Sequence, residues 1–197
     1  VQIVLLETLK IASVVLETLP NNEQVRNKSF VLLQRLIQCL GDKVLPSMPQ
    51  LLYLLIAHCT AEDILDVAQL FNQSCIKFKS EAISAIDAGL LPFLRKCHAL
   101  IATLSIATTN SQAATENVAA PHLRTEQLSI QKLTFTVLQH IVTHGATAVL
   151  LSPTNASSLE NVLQSMSDGA IHVEDAPMKK TCLIFFKELL DRWTNET

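Results

Sequence analysis

The sequence predicts an all-α superhelix, an armadillo-like solenoid built from stacked antiparallel helix pairs. Three observations carry this. Gly is scarce, at 4 of 197 residues, while straight-chain and branched apolar residues abound, a balance that favours helix over sheet. The stretch from Asp42 to Lys79, DKVLPSMPQLLYLLIAHCTAEDILDVAQLFNQSCIKFK, reads as a complete unit: a Pro-marked helix start, an apolar helix, a cap, and a second helix closing on Lys77, Phe78 and Lys79. Turn signals then recur roughly every 15–25 residues, as helix-pair repeats require, and no segment alternates like a strand.

Taken in order, Val1 to Leu19 forms one helix whose stripe of Val1, Val4, Leu5, Ala12, Val15, Leu16 and Leu19 is widened by Ile3, Leu6, Ile11 and Val14. A helix apolar this far round is sandwiched between neighbours. Pro20 and Asn21–Asn22 stop it, and Glu23 to Leu40 follows, with Phe30, Leu33, Ile37 and Leu40 on one face and Gly41 at its end. Pro46 and Pro49 open the next helix, which reaches Cys59. Thr60 and Asp63 then make a capping-box pattern with Asp in place of Glu. Beyond it Ile64, Val67, Ala68, Phe71, Cys75 and Phe78 keep a 3–4–7 spacing.

Glu81 to Ala88 reads as a short helix broken at Gly89, and Leu90 to Ala107 as the next one, with Pro92 in its first turn. Residues 108–125, TTNSQAATENVAAPHLRT, are small and polar and are expected as an exposed loop. Helix resumes from Glu126 to His144 and ends at Gly145; Ala146 to Leu151 makes a turn; Ser157 to Ser167 is a short helix broken by Gly169. The last helix opens at Asp175 or Pro177 and lines up Cys182, Phe185, Phe186, Leu189, Leu190 and Trp193. Residues 1–197 thus make a single solenoid segment of about four helix pairs. The motifs DKVLP at Asp42 and DAGLLP at Asp87 lie 45 to 46 residues apart, a HEAT-type period.

Composition narrows the function classes. With 49% hydrophobic and 17% charged residues the chain is no disordered tail. A net charge of −3 argues against a surface that coats nucleic acid indiscriminately, and leaves room for a local basic patch. Cys39, Cys59, Cys75, Cys97 and Cys182 are odd in number, widely spaced and set in apolar helices, so buried reduced thiols are expected rather than disulfides or zinc ligands. The Asn-x-Ser/Thr sequences at Asn27, Asn72, Asn155 and Asn195 read as chance matches. No run reads as a membrane span: Val44 to Ala61 is uncharged, yet carries two prolines, Ser47, Gln50 and His58. The chain opens at Val1 inside an apolar helical pattern, as a segment of a longer protein would.

No catalytic signature is present: G-x-S-x-G, G-x-x-x-x-G-K-[ST] and H-E-x-x-H are all absent. His140 and His144 have the i, i+4 spacing that clips a metal, but no acidic residue accompanies them, and they read as partly exposed residues near a helix end. His58 and His98 each adjoin a Cys and read as packing residues near helix ends. No cofactor or metal is expected. The basic residues weigh more. Lys77 and Lys79 flank Phe78, Arg95 adjoins Lys96, and Lys179 adjoins Lys180. Solvated lysines complementing helix dipoles account for them. Phosphate contact on a curved surface is the functional reading.

Two blocks carry a family resemblance. From Lys43 to Lys79 the chain resembles the C-terminal part of the exportin-T family, karyopherin-β proteins of the HEAT class. The family's V-L-P-x-x-P stands here as Val44, Leu45 and Pro46 with Pro49, its acidic helix start as Glu62 and Asp63, its I-N-Q as Phe71, Asn72 and Gln73, and its K-F-K as Lys77, Phe78 and Lys79. Near the end, KKTCLIFFKELLDRW from Lys179 to Trp193 is similar to the family's Q-K-T-C-F-I-I-L-x-K-L-V-x-x-W. The resemblance spans Gly41 to Trp193; residues 1–40 match only in helical character, and residues 108–125 depart freely.

This resemblance implies a non-enzymatic nuclear export receptor that binds tRNA cooperatively with Ran-GTP, contacts nucleoporins and shuttles between nucleus and cytoplasm. It implies tRNA held by shape and backbone, as an A-form helix demands, and Ran bound by repeats outside this segment. The tRNA-contact candidates are Lys77, Lys79, Lys179 and Lys180, the paired basic residues within the matching blocks. Another karyopherin-β, or a HEAT scaffold with a protein cargo, is the alternative.

Overall fold

The computed structural model describes residues 2–113 and 119–195, with side chains for all of these except 109–113, 119, 120 and 195. Among the described residues there is no strand. The helices are α1 (Gln2–Thr18), α2 (Glu23–Leu40), α3 (Met48–His58), α4 (Ile64–Phe78), α5 (Ile83–Ala113), α6 (Ala119–Thr143), α7 (Ala148–Leu151), α8 (Leu159–His172) and α9 (Ala176–Asn195). Helix α1 pairs with α2, α3 with α4, α5 with α6, and α8 with α9. The pairs stack in two rows: α1, α3 and α5 follow one another in the first, and α2, α4, α6 and α9 in the second. This is the all-α repeat array expected of a HEAT solenoid.

Local signals place most of the ends. Asn22 caps α2 by accepting from the Val25 N–H at 3.1 Å. Gly41 and Gly145 terminate α2 and α6 in left-handed conformations, at φ 60° and 84°. At the start of α4, Asp63 accepts from the Thr60 N–H at 2.8 Å and from its hydroxyl at 3.1 Å, which is the backward half of a capping box. The same carboxylate oxygen accepts Arg26 Nε at 2.8 Å, and this ion pair is buried, with side chains 4% and 2% exposed. It ties α2 to the α3–α4 turn.

One continuous core runs between the rows, with Phe30, Phe71, Phe93, Phe135 and Phe185 fully buried along it. Phe71 and Phe93 pack with ring centroids 5.1 Å apart. Burial of such a side chain contributes about 1.5–3 kcal/mol.

Several sequence expectations need correcting. Gly89 and Gly169 do not break helices: α5 runs unbroken through Gly89 and Pro92, and α8 through Gly169. Both glycines are points of close approach. A Cβ on Gly169 would stand 2.5 Å from Phe135 Cε2 and 2.7 Å from Cys182 Sγ, and one on Gly89 would stand 3.2 Å from Phe71 Cζ. Pro92 removes a helical donor. One residue away from the carbonyl it would have served, the Asp87 carbonyl takes buried Asn155 Nδ2 at 3.0 Å.

The loop expected at 108–125 is helical at both ends, since α5 reaches Ala113 and α6 starts at Ala119; residues 114–118 lie outside the described residues. A long packed helix propagates through Ala, Ser and Thr, and Pro121 is tolerated because the first-turn N–H groups of α6 have no helical acceptor. Trp193 is only partly buried against the core, and Cys39, His58 and His98 are exposed. Helix α1 is not sandwiched: Leu9, Ala12 and Leu16 are buried while much of its apolar surface faces solvent.

Candidate nucleic-acid interface

Lys77 and Lys79 sit at the C-terminal end of α4, both exposed. Lys77 lies in the last turn, where its charge complements the helix dipole. Lys79 has φ 52° and its N–H donates to the Cys75 carbonyl, so a non-glycine residue makes the left-handed closure. That conformation is sterically costly for a residue with a Cβ.

The second row delivers further cations to the same edge. Helices α4, α6 and α9 end together there. Lys79 and Arg192 both lie within electrostatic reach of His144, and burial, then Lys79, then Arg192 push the His144 imidazole below its usual range. Burial, then His144, lowers His140 in turn. The two rings meet edge-to-face at 5.4 Å. Arg192 reaches from α9 to the end of α6, donating through Nε to the Val142 carbonyl at 2.7 Å and through Nη2 to the Thr143 carbonyl at 2.8 Å. Its guanidinium thereby caps the last carbonyls of α6, the Val142 carbonyl also accepting from the Gly145 N–H at 3.3 Å.

Lys179 and Lys180 stand elsewhere. Asp175 opens α9 by accepting from the Met178 N–H at 2.8 Å, and the two lysines follow in the first turns, one half-buried and one exposed. The 13 positions from Lys179 to Arg192 put them roughly 20 Å along α9 from the Lys79 edge. The four candidate lysines therefore fall into two separate places. The companions that the fold gives Lys79 are His144 and Arg192, which sequence spacing could not reveal because each comes from a different repeat. Lys187, exposed on α9, is engaged by Asp191 at 3.1 Å and Glu188 at 3.2 Å.

The other described residues bring little reactive chemistry together. Among the described residues no three His, Cys, Asp or Glu side chains gather as a metal site. Burial holds the Cys75 thiol up at about 12 and those of Cys97 and Cys182 at about 11, and it raises Cys59 as well. Such thiols stay protonated and are poor nucleophiles. A groove of about 410 Å³ between α4 and α6, lined by Ile64, Leu65 and Leu133 with Glu126 and Lys132 beside them, brings no catalytic pair together. One run, Ile64–Thr108, holds a window apolar enough to cross a membrane by length and composition. The 3₁₀ turn Lys79–Ala82 divides that run into α4, 15 residues, and α5, 31 residues; α5 carries Arg95 and Lys96 and packs along α3 and α6.

Comparison with known proteins gives a consistent result. The family model described as Exportin-T matches residues 1–197. Exportin-T of Oryza sativa subsp. japonica is 28% identical over 191 residues, 97% of this chain and 19% of that protein. The Homo sapiens Exportin-T is 29% identical over 161 residues, 82% of this chain and 16% of that protein. That of Dictyostelium discoideum is 23% identical over 180 residues, 89% of this chain and 16% of its own length. The chain thus spans less than a fifth of the length of these relatives. No solved structure matches.

Proposed function

Because the chain belongs to the exportin-T family, we propose that it supplies about four HEAT-type helix pairs to a nuclear export receptor that carries tRNA together with Ran-GTP. The match of the whole chain to the family carries this reading. The family is one of transport receptors. Ran-GTP would be held by repeats outside this segment. The receptor would pass between nucleus and cytoplasm through nucleoporin contacts.

Any tRNA contact here is directed to phosphates, through Lys77 and Lys79 at one edge and Lys179 and Lys180 at the start of α9. Charged ammonium groups position a nucleic-acid backbone without reading bases. The test is binding of folded tRNA by the full-length receptor, with and without Ran-GTP. Tight binding only with Ran-GTP, with affinity and Ran dependence reciprocally coupled, is expected. Preference for a protein cargo over tRNA would overturn the reading in favour of another karyopherin-type receptor or scaffold. Alanine at each true contact lowers the dependence of log K on log salt by roughly one, equally across tRNA species. An unchanged slope reduces these lysines to helix-terminal charges.

A further inference from the structure

Three basic side chains from three repeats converge on one corner of the second row. In the groove between α4 and α6, Ile64 and Leu65 face Ile130 and Leu133. Roughly 14–15 residues further along each helix, about 21–22 Å at the helical rise, Lys79 and His144 come level. Arg192 arrives from α9. Its guanidinium lies over Gly145, where a Cβ would stand 3.5 Å from Nη1 and 3.8 Å from Nη2. Glycine there turns the chain, at φ 84°, and leaves room for the guanidinium. Nε and Nη2 are committed to the Val142 and Thr143 carbonyls, which fixes the plane of the group. Nη1 is left to donate elsewhere.

The field at this corner has one sign. The charges acting on the His144 imidazole are Lys79 from α4 and Arg192 from α9, and no carboxylate is among them. Lys79 is exposed and forms no ion pair among the described residues. Asp191, the acidic neighbour of Arg192 in the chain, holds Lys187 at 3.1 Å, and Glu188 holds the same ammonium at 3.2 Å. On its own helix His144 meets His140, ring to ring at 5.4 Å.

We propose that Arg192 Nη1, the Lys79 ammonium and the His144 imidazole together seat one backbone phosphate of the tRNA, with His144 binding it as the imidazolium. This rests on the tRNA-carrier reading and adds to it two contacts, Arg192 and His144, and one proton. A guanidinium held in plane offers directed donors, and an ammonium adds a point charge, the two kinds of group that suit a phosphate. The phosphate also changes the balance at His144. Without it, two cations and burial favour the neutral ring; with it, an adjacent anion favours the charged one. Burial and the charge on His144 keep His140 neutral, so the pair takes up one proton rather than two.

The test is binding of folded tRNA by the full-length receptor with Ran-GTP, from pH 6 to 8 at constant ionic strength. A group that is more readily protonated in the complex than in the free receptor makes affinity fall as pH rises between the two values. The wild type is expected to weaken over this range by about threefold to tenfold more than His144→Gln, tenfold being the ceiling for one group whose pKa differs by one unit between the two states. Lys79→Asn removes a cation at a residue type that accepts left-handed backbone. It is expected to weaken binding and to move the fall in affinity to higher pH, because one of the charges that drive the proton off His144 is gone. Equal pH dependence in the wild type and His144→Gln would overturn the proposal and leave the tRNA reading standing. A receptor that binds no tRNA under any of these conditions would overturn both. Should His144→Gln fail to fold, Lys79→Asn carries the test, since the lysine is exposed; an unchanged affinity and pH profile there would refute the seat.

Discussion

Replacing Asp63 by Ala tests the tie between α2 and the α3–α4 turn. Asp63 Oδ2 receives Arg26 Nε, the Thr60 N–H and the Thr60 hydroxyl, all within 3.1 Å. Arg26 is 4% exposed and also donates through Nη1 to the Pro20 carbonyl at 3.2 Å. Removing the carboxylate strands a buried guanidinium and two donors, a loss of about 3–5 kcal/mol. For a chain of this length that corresponds to a fall in Tm of roughly 6–20 °C. Urea denaturation gives the free energy, and hydrogen exchange locates the loosening to the first turns of α2 and the start of α4. Replacing both partners by apolar residues of similar size is expected to cost far less, because no charge is then left buried. A loss below about 1 kcal/mol for Asp63→Ala would place the pair among exposed salt bridges and refute the argument.

Gly169→Ala drives a methyl group into Phe135 and Cys182 and is expected to destabilise by about 1–3 kcal/mol. Gly89→Ala meets only ordinary-to-tight contacts and is expected near neutral, since helix propensity returns up to about 1 kcal/mol; thermal melts of the two variants side by side check both. In the isolated 197-residue chain, Cys39 alone is expected to react with maleimide at neutral pH, and all five thiols after denaturation without reductant; recovery of three or fewer would reveal disulfides. Burial holds His140 and His144 below the usual value of 6.5, so the unfolded chain binds more protons than the folded one just below that pH. Stability is therefore complete above about pH 6.5 and falls as pH drops toward the folded values. His140→Gln is expected to flatten that fall in pH-dependent urea titrations.

The helical class was legible because it rests on local signals. Few Gly, 3–4–7 apolar spacing, Asn22 and Gly41 at helix ends and the Thr60–Asp63 cap act within a few residues of one another, and the structure uses each of them. The blocks from Lys43 to Lys79 and from Lys179 to Trp193 made the family legible for a similar reason, since a motif is a run of neighbours. What sequence could not settle was everything that depends on a partner from another repeat. Gly89 and Gly169 look like breakers until Phe71 and Phe135 are placed against them. Thr108 to Ala113 looks like a loop until a long packed helix extends through it. Lys79 looks equivalent to Lys179 and Lys180 until the second row sets it near His144 and Arg192. Local chemistry chose the elements and their ends; the stacking of rows decided which glycine is a contact, which thiol is exposed, and which cations share an edge, because those distances run across the fold rather than along the chain.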